Sequence, residues 1–153
     1  MQNNLYIDPL DKSILKSLMH DARTSYLEIA RTNKVTGPTI HQRINKLESA
    51  GVISGTKLIV NPEKLGYGIT VFIGVFLEKG SLYEETLKIL KKIPEITECY
   101  YTTGNYSLFL KLLCKSTDHL MEILNKKLQP IPGVERTETI ISLEQSINRQ
   151  IEP

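Results

Sequence analysis

Apolar residues recur at spacings of three and four in three stretches of the first fifty residues, which predicts three amphipathic helices. The first begins at Asp8-Pro9, where Asp8 fits the N-cap and Pro9 the first turn. Ser25 with Glu28 predicts a capping box for the second helix, and Thr36 fits the N-cap of the third. The apolar stripes are Leu10, Ile14, Leu15 and Leu18; Ile29 and Ala30; and Ile40, Ile44 and Leu47.

The second and third predicted helices are joined only by Asn33, Lys34 and Val35, a connection typical of a helix-turn-helix. A glycine at position 51 then ends the third helix. Two short strands, Val52-Ile53 and residues 57–60, are expected to follow and to form a small wing. The N-terminal part is therefore predicted to be a winged helix-turn-helix domain.

The apolar period changes to two after residue 68. Ile69, Val71, Ile73, Val75 and Leu77 alternate with other residues, as they would in a strand. Together with the elements that follow, this gives the order βαββαβ, a ferredoxin-like α+β fold. The other predicted elements are a helix over 81–92, strands over 96–102 and 108–114, a helix over 117–128 and a strand over 134–143.

The segment 61–68, NPEKLGYG, contains one proline and two glycines and fits a linker. The predicted domains are thus residues 1–60, which carry the helix-turn-helix, the linker 61–68, and residues 69–153. Within the last domain, Ile93-Pro94-Glu95-Ile96 resembles Ile131-Pro132-Gly133-Val134. Each motif lies between a predicted helix and a predicted strand, which indicates two similar units.

The third predicted helix carries a stripe of small and polar residues opposite its apolar one. Asn and Gln can pair bidentately with adenine, and His can donate or accept at a base edge. Arg43 and Lys46 flank the stripe and could reach phosphates. An ordinary solvated helix face would look similar, but the helix-turn-helix context favours a helix that enters the major groove of double-stranded DNA. The predicted DNA-binding residues are Thr36, Gly37, Pro38, Thr39, His41, Gln42, Arg43, Asn45 and Lys46.

The first predicted strand is apolar on both of its faces, because Phe72, Gly74 and Phe76 alternate with the apolar residues above. In a ferredoxin-like fold both helices cover the same face of the sheet, so the other face needs a second cover. A matching sheet from another copy would supply it. We therefore expect at least a homodimer, which also suits a reader of two DNA half-sites.

Composition adds a charge asymmetry. Residues 1–60 hold eight Lys/Arg against five Asp/Glu, a net of +3, whereas residues 61–153 hold eleven against twelve, a net of −1. This modestly favours an anionic partner for the N-terminal part.

Cys99 and Cys114 fit reduced core thiols, although a disulfide is also compatible. The N-terminus does not fit a signal peptide, and the longest apolar run is too short to span a bilayer, so a cytoplasmic protein without a membrane partner is expected.

These motifs together resemble the Lrp/AsnC family, the feast/famine transcriptional regulators of bacteria and archaea, over nearly the whole chain. The most specific piece is Val35–Ile40 followed by Arg43–Glu48 and Gly51–Ile53. The other matching motifs are Asp11-Lys12-Ser13-Ile14-Leu15, Ser25 with Glu28-Ile29-Ala30, Asn61-Pro62, Gly104-Asn105-Tyr106 and Thr137-Glu138-Thr139.

The resemblance implies a DNA-binding transcriptional regulator with an N-terminal winged helix and a C-terminal effector-binding domain. It implies dimers formed through the sheets, which often assemble into octamers, and amino acids sensed at the contacts between dimers. The helix from Gly37 to Lys46 would be the DNA reader. The implied effector-binding residues are Gly104, Asn105, Tyr106, Ser107, Thr137 and Thr139.

The turn Gly104–Ser107 departs from the family pattern, which often has acidic residues where this chain has Asn105 and Ser107. A carboxylate is the natural partner of a ligand ammonium, and a charge-assisted hydrogen bond is roughly twice as strong as a neutral one. The turn therefore leaves open an unusual amino acid, weak binding or no binding, as in a simple hairpin turn.

Two other functions are compatible with the architecture. Siroheme decarboxylases resemble the same family, but they depend on histidine and basic residues in the C-terminal cavity, whereas this chain has only His20, His41 and His119. No HExxH, Cys/His metal spacing, GxSxG or phosphate loop is present. A metabolite-binding assembly module without DNA readout would not need the intact polar stripe. We expect a regulator rather than an enzyme, with no catalytic residue, metal or cofactor.

Overall fold

Two units make up the chain in the computed structural model, which describes residues 6–153. The N-terminal unit comprises the described residues up to Ile59 together with Ile147–Pro153, and the C-terminal unit comprises Val60–Ser146. The predicted end of the N-terminal domain at residue 60 and the predicted end of the linker at residue 68 remain predictions. No helix in the described part of the chain is long and apolar enough to cross a membrane.

Three helices with well-defined N-caps form the N-terminal unit. The Asp8 carboxylate accepts from the Asp11 N–H (2.9 Å) and the Asp11 carboxylate accepts from the Asp8 N–H (3.3 Å), so the reciprocal capping box forms at the first helix. At the second helix the Ser25 hydroxyl accepts from the Glu28 N–H (3.2 Å), and Thr36 caps the third. The helices are α1 (Pro9–His20), α2 (Tyr26–Asn33) and α3 (Gly37–Ser49). Their buried core is Ile14, Leu15, Ile29, Ala30, Ile40, Ile44 and Leu47.

The wing strands expected at Val52-Ile53 and at 57–60 are not formed, and the structure corrects that prediction. The N–H groups of Val52 and Ile53 both donate to the carbonyl of Leu47 (2.9 and 3.2 Å), where the chain turns through Gly51 at a φ of 72°. These donors close the end of α3, so they are not available to a strand ladder. Residues 57–60 also have no strand partner within the described chain.

The C-terminal unit is a four-stranded antiparallel sheet with two helices, as the βαββαβ order predicts. Its strands are arranged β2-β3-β1-β4, so the first and third strands of the chain are central. Apolar residues of β1 and β3 pack against those of both helices and form the core. The elements are β1 (Ile69–Leu77), α4 (Tyr83–Leu90), β2 (Ile96–Tyr101), β3 (Leu108–Cys114), α5 (Thr117–Ile123), which a π-turn extends to Leu128, and β4 (Val134–Ile141).

The two helix–strand connections with similar sequences have the same hydrogen bond. The Ile96 N–H donates to the Ile93 carbonyl, and the Val134 N–H donates to the Ile131 carbonyl, each at 3.1 Å. Ile93 and Ile131 are both buried in the core of this unit. The similarity therefore reflects two equivalent turns that lead from a helix into a strand.

The sheet side opposite the helices, here called the open face, is aromatic and only partly buried. The strand register places Gly74 of β1 opposite Phe109 and Phe72 opposite Lys111. The rings of Phe72 and Phe109 stack with centroids 5.8 Å apart. Both helices of the unit pack on the other face, so nothing within the C-terminal unit covers this one beyond its own side chains.

Both cysteines are free thiols, as one of the two readings of the sequence predicts. Cys114 is buried and Cys99 is half-buried. Burial raises the pKa of both thiols, which keeps them protonated and unreactive.

Candidate nucleic-acid interface and effector site

Four exposed residues of α3 form a continuous outward stripe, here called the reading stripe: Pro38, His41, Gln42 and Asn45. The opposite side of the helix is buried in the core of the unit, so this face is fixed outward. The stripe lines an open depression together with Gly37 and with Tyr26 from α2. The structure thus places on one exposed face the four residues of the outward stripe that the sequence predicted.

Contacts within the depression order two of these side chains. The Asn45 amide nitrogen lies 3.2 Å from His41 Nδ1. The Tyr26 ring packs edge-on against the His41 ring, with centroids 5.8 Å apart at 72°. The sequence pattern did not indicate Tyr26, because the contact joins two helices and no local motif marks it.

The start of α3 presents two threonines whose hydroxyls are engaged with each other. Thr36 Oγ1 and Thr39 Oγ1 are 2.8 Å apart, and Thr36 also accepts from the Thr39 N–H (3.4 Å). A helix N-terminus attracts anions, because its first N–H groups lack intrahelical partners and the helix dipole is positive there. This end of α3 is suited to a DNA phosphate.

Arg43, expected to reach phosphates, is bound within the protein instead. Its Nη1 forms ion pairs with Asp8 and with Asp11, the latter at 3.1 Å. The Asp11 side chain is completely buried, so the Arg43 guanidinium supplies its main counter-charge. Arg43 therefore ties α3 to the start of α1. Lys46 is held less tightly by Asp11. Its side chain is 45% exposed, and its Nζ lies 3.9 Å from Asp11 Oδ2.

The same contacts shift the titration of the capping carboxylate. The N–H of Asp11 and then the guanidinium of Arg43 lower the pKa of Asp8 from its ordinary value. The Asp8 contribution to stability is therefore complete above the ordinary pKa of an aspartate and is lost as the pH falls through the lowered value.

The predicted effector turn, Gly104–Ser107, connects β2 to β3 and is anchored to the sheet. Gly104 has a φ of 100°, which favours glycine. The Ser107 N–H donates to the Val75 carbonyl (2.9 Å), and the Ser107 hydroxyl accepts from the Leu77 N–H (3.3 Å). Asn105 is exposed at the tip.

Tyr106 leaves this turn and lies across the open face. A Cβ built on Gly74 would meet the Tyr106 ring carbons at 2.4 Å, so only glycine admits the ring there. The ring also packs edge-on against Phe76, with centroids 5.2 Å apart. Its hydroxyl donates to Glu138 Oε2 (2.7 Å), a contact that raises the pKa of Tyr106 and lowers that of Glu138.

Thr137 and Thr139 do not share a side of the sheet with Tyr106. They pair with Val75 and Ile73, whose side chains are buried on the helix-covered face. Paired residues of antiparallel strands point to the same face, so both threonines lie on that side. The six predicted effector residues are therefore not gathered into one pocket within a single chain.

Because side chains alternate along β4, Glu138 lies on the open face with Tyr106. The sequence-based set of effector residues did not include Glu138. Glu138 also accepts from Arg136 Nη1 (2.8 Å). The Arg136 guanidinium lies over the Phe76 ring, 3.6 Å from its centroid. The period-two rule applied to Thr137-Glu138-Thr139 would have found this residue. No cluster suited to a metal occurs among residues 6–153.

A helix-turn-helix with an outward polar stripe, joined to a ferredoxin-like unit, defines a DNA-binding transcriptional regulator. The family model of the AsnC-type helix-turn-helix domain matches residues 7–48, and that of the Lrp/AsnC ligand binding domain matches residues 70–151. The chain belongs to the Lrp/AsnC family of transcriptional regulators.

Individual relatives agree with this assignment. Regulatory protein AsnC of Escherichia coli is 44% identical over 150 residues, which cover 98% of this chain and 99% of the relative. An HTH-type transcriptional regulator of Pyrococcus horikoshii is 40% identical over 137 residues, which cover 90% and 89%. The names of both relatives are those of regulators, not of tetrapyrrole-modifying enzymes.

Solved structures show the same architecture. The structure of Escherichia coli AsnC matches with a TM-score of 0.93 at 44% identity, over 97% of this chain and 100% of that one. A feast or famine regulatory protein from M. tuberculosis, complexed with L-methionine, matches with a TM-score of 0.87 at 26% identity, over 97% and 100%.

Proposed function

We propose that α3 reads DNA sequence in the major groove, with the reading stripe against the bases and Lys46 against a phosphate. The observation that supports this proposal most directly is the exposed reading stripe, which lies opposite a fully buried apolar stripe on a helix that fits the groove. Thr36 and Thr39 would meet the backbone at the helix N-terminus. A regulator of this kind acts in the cytoplasm, where it meets the chromosome.

Arg43 does not contact a phosphate in this proposal, although its sequence position suggests that role. Its ion pairs with Asp8 and Asp11 hold α3 at a fixed angle to α1. Arg43 would thus place the reading stripe, while Lys46 supplies phosphate affinity.

Substitutions of Lys46 and Gln42 should affect DNA binding in different ways. We expect Lys46→Ala to weaken binding to every sequence and to lower the salt slope by about one unit, because one phosphate contact is lost. Gln42→Ala should instead change the preference at one base pair by roughly 1–3 kcal/mol. Gel shifts at several salt concentrations measure both effects, with Lys88→Ala on α4 as the control for a lost positive charge. Parent-like binding by both variants would show that α3 is not the reading helix.

We further propose that an amino acid or a related small molecule modulates binding through the C-terminal unit. The complex of the M. tuberculosis relative with L-methionine supports this class of effector. In this chain the turn Gly104–Ser107 would offer backbone groups and the exposed Asn105 to the ligand. Because Thr137 and Thr139 lie on the other side of the sheet, all six residues would serve one ligand only where two copies meet.

The open face supplies the reason to propose a dimer. It exposes part of Phe72, Phe76 and Phe109, and Ile140 beside them is 49% exposed. A second copy with the same face would cover these side chains and present two reading helices to two half-sites. Assembly of such dimers into larger rings, up to the octamer that the family resemblance implies, is part of the same proposal.

A further inference from the structure

A hydrogen bond joins two residues of the reading stripe. The Asn45 amide nitrogen lies 3.2 Å from His41 Nδ1, and the donor and acceptor roles follow from the ring tautomer. An amide nitrogen can only donate, so the tautomer that forms this bond has Nδ1 as the acceptor and its ring proton on Nε2.

This bond leaves the Asn45 amide in a defined orientation. One of its two amide hydrogens is used by His41, while the second hydrogen and Oδ1 remain available. These are the donor and the acceptor that pair bidentately with N7 and N6 of adenine. Without His41 the amide could rotate by half a turn and exchange its donor and acceptor.

His41 gains its own reading capacity from the same arrangement. With Nδ1 occupied, the free polar group of the ring is the Nε2–H donor, which suits an acceptor such as guanine O6 or N7, or thymine O4. Tyr26 packs edge-on against the ring and limits its rotation.

We infer that His41 and Asn45 act as one specificity-determining pair, an inference that rests on the proposed role of α3 in reading DNA. His41 holds the Asn45 amide in the orientation that selects adenine, and it presents Nε2–H to an acceptor on a neighbouring base. Tyr26 acts as a positioning residue that holds the His41 ring in place. Base preference at the Asn45 position therefore depends on a residue that does not touch that base.

Selection from a pool of randomised DNA duplexes at fixed salt tests the pair with full-length protein. The parent should prefer adenine at one position by roughly 5- to 150-fold, and Asn45→Ala should abolish this preference. His41→Ala should reduce the same preference by roughly two- to tenfold, although Asn45 is intact, and should add no further loss in the double variant. Lys88→Ala, which changes an exposed side chain of α4 outside the reading helix, is the control and should leave the adenine preference unchanged.

The outcomes separate this inference from the proposed function. If no stripe variant changes any base preference, α3 does not read bases and the proposed function fails. If Asn45→Ala abolishes the adenine preference while His41→Ala leaves it at the parent value, α3 reads bases but the pair does not exist.

Tyr26 variants test the positioning role separately. Tyr26→Phe keeps the packed ring and should retain the adenine preference, whereas Tyr26→Ala should lower it in the same direction as His41→Ala. A role for ring packing would be contradicted if Tyr26→Ala kept the adenine preference of the parent. It would also be contradicted if Tyr26→Phe and Tyr26→Ala lost the adenine preference equally.

The ring tautomer of His41 provides a readout that a merely structural role would not move. Nitrogen-15 NMR of the His41 ring should show the proton on Nε2, and a proton on Nδ1 would overturn the inference.

Discussion

Arg43→Ala is expected to destabilise the N-terminal unit by on the order of 3 kcal/mol. Removing Arg43 leaves the buried Asp11 carboxylate with Lys46, at 3.9 Å, as its one remaining ion-pair partner among the described residues. Breaking a buried ion pair typically costs about 3–5 kcal/mol, and the lower end applies because the Arg43 side chain is 32% exposed. Urea unfolding, followed by circular dichroism, measures the loss.

A second substitution shows whether the buried charge causes this loss. Asp11→Asn removes the charge while keeping the shape of the side chain, so Arg43→Ala should cost much less in the Asp11→Asn background than in the parent. Arg31→Ala, on the exposed side of α2, is the control for a lost surface arginine. Equal costs of Arg43→Ala in both backgrounds would show that Arg43 does not act through Asp11.

Gly74→Ala should have the second large effect, in the C-terminal unit. The new methyl group would meet the Tyr106 ring at 2.4 Å, and the contact falls on one edge of the ring, at Cδ1 and Cε1. The ring cannot withdraw easily, because the adjoining Ser107 is bonded to β1 and the Tyr106 hydroxyl to Glu138. Overpacking of this kind costs about 1–3 kcal/mol. Thermal unfolding measures the destabilisation of the unit.

The same variant tests the proposed dimer, because a displaced Tyr106 ring would disturb the open face. Analytical ultracentrifugation at micromolar concentration should show a dimer or larger species for the parent and a shift towards monomer for Gly74→Ala. Gly68→Ala, where a Cβ meets nothing within 4 Å, is the matched control and should behave like the parent. A parent that sedimented only as a monomer would contradict the proposed assembly.

Local features of the fold could be predicted because short-range physics decides them. Asp8, Ser25 and Thr36 cap the three helices where the sequence placed them, since a cap needs only a side chain and the next three residues. The alternation of β1 likewise identified its buried face, because strand side chains change sides at every residue.

Features that depend on distant partners were predicted less well. Arg43 resembles a free phosphate ligand in sequence, but its partners lie more than thirty positions earlier, at the N-cap and in the first turn of α1. The wing strands failed because the Leu47 carbonyl captures the N–H groups of Val52 and Ile53. Each residue had a plausible local role, and a tertiary or end-of-helix hydrogen bond replaced it.

The candidate sites divide along the same line. The reading stripe was predicted because four positions on one helix share a face wherever that helix lies. The effector residues come from a turn and from β4, so their arrangement depends on the strand register. That register places Glu138, rather than Thr137 and Thr139, beside Tyr106. A motif shared with a family does not by itself give the direction of its side chains.

Fluorescence polarisation with labelled genomic DNA fragments, with and without added amino acids, tests the central claim most directly. We predict that the full-length protein binds a few fragments at least roughly 10³-fold more tightly than the rest at a fixed physiological salt concentration. At least one amino acid should change the affinity for those fragments by about 5- to 150-fold, the usual range of coupling between two sites. Equal affinity for all fragments, whether or not amino acids are present, would contradict a sequence-specific regulator that responds to a small molecule.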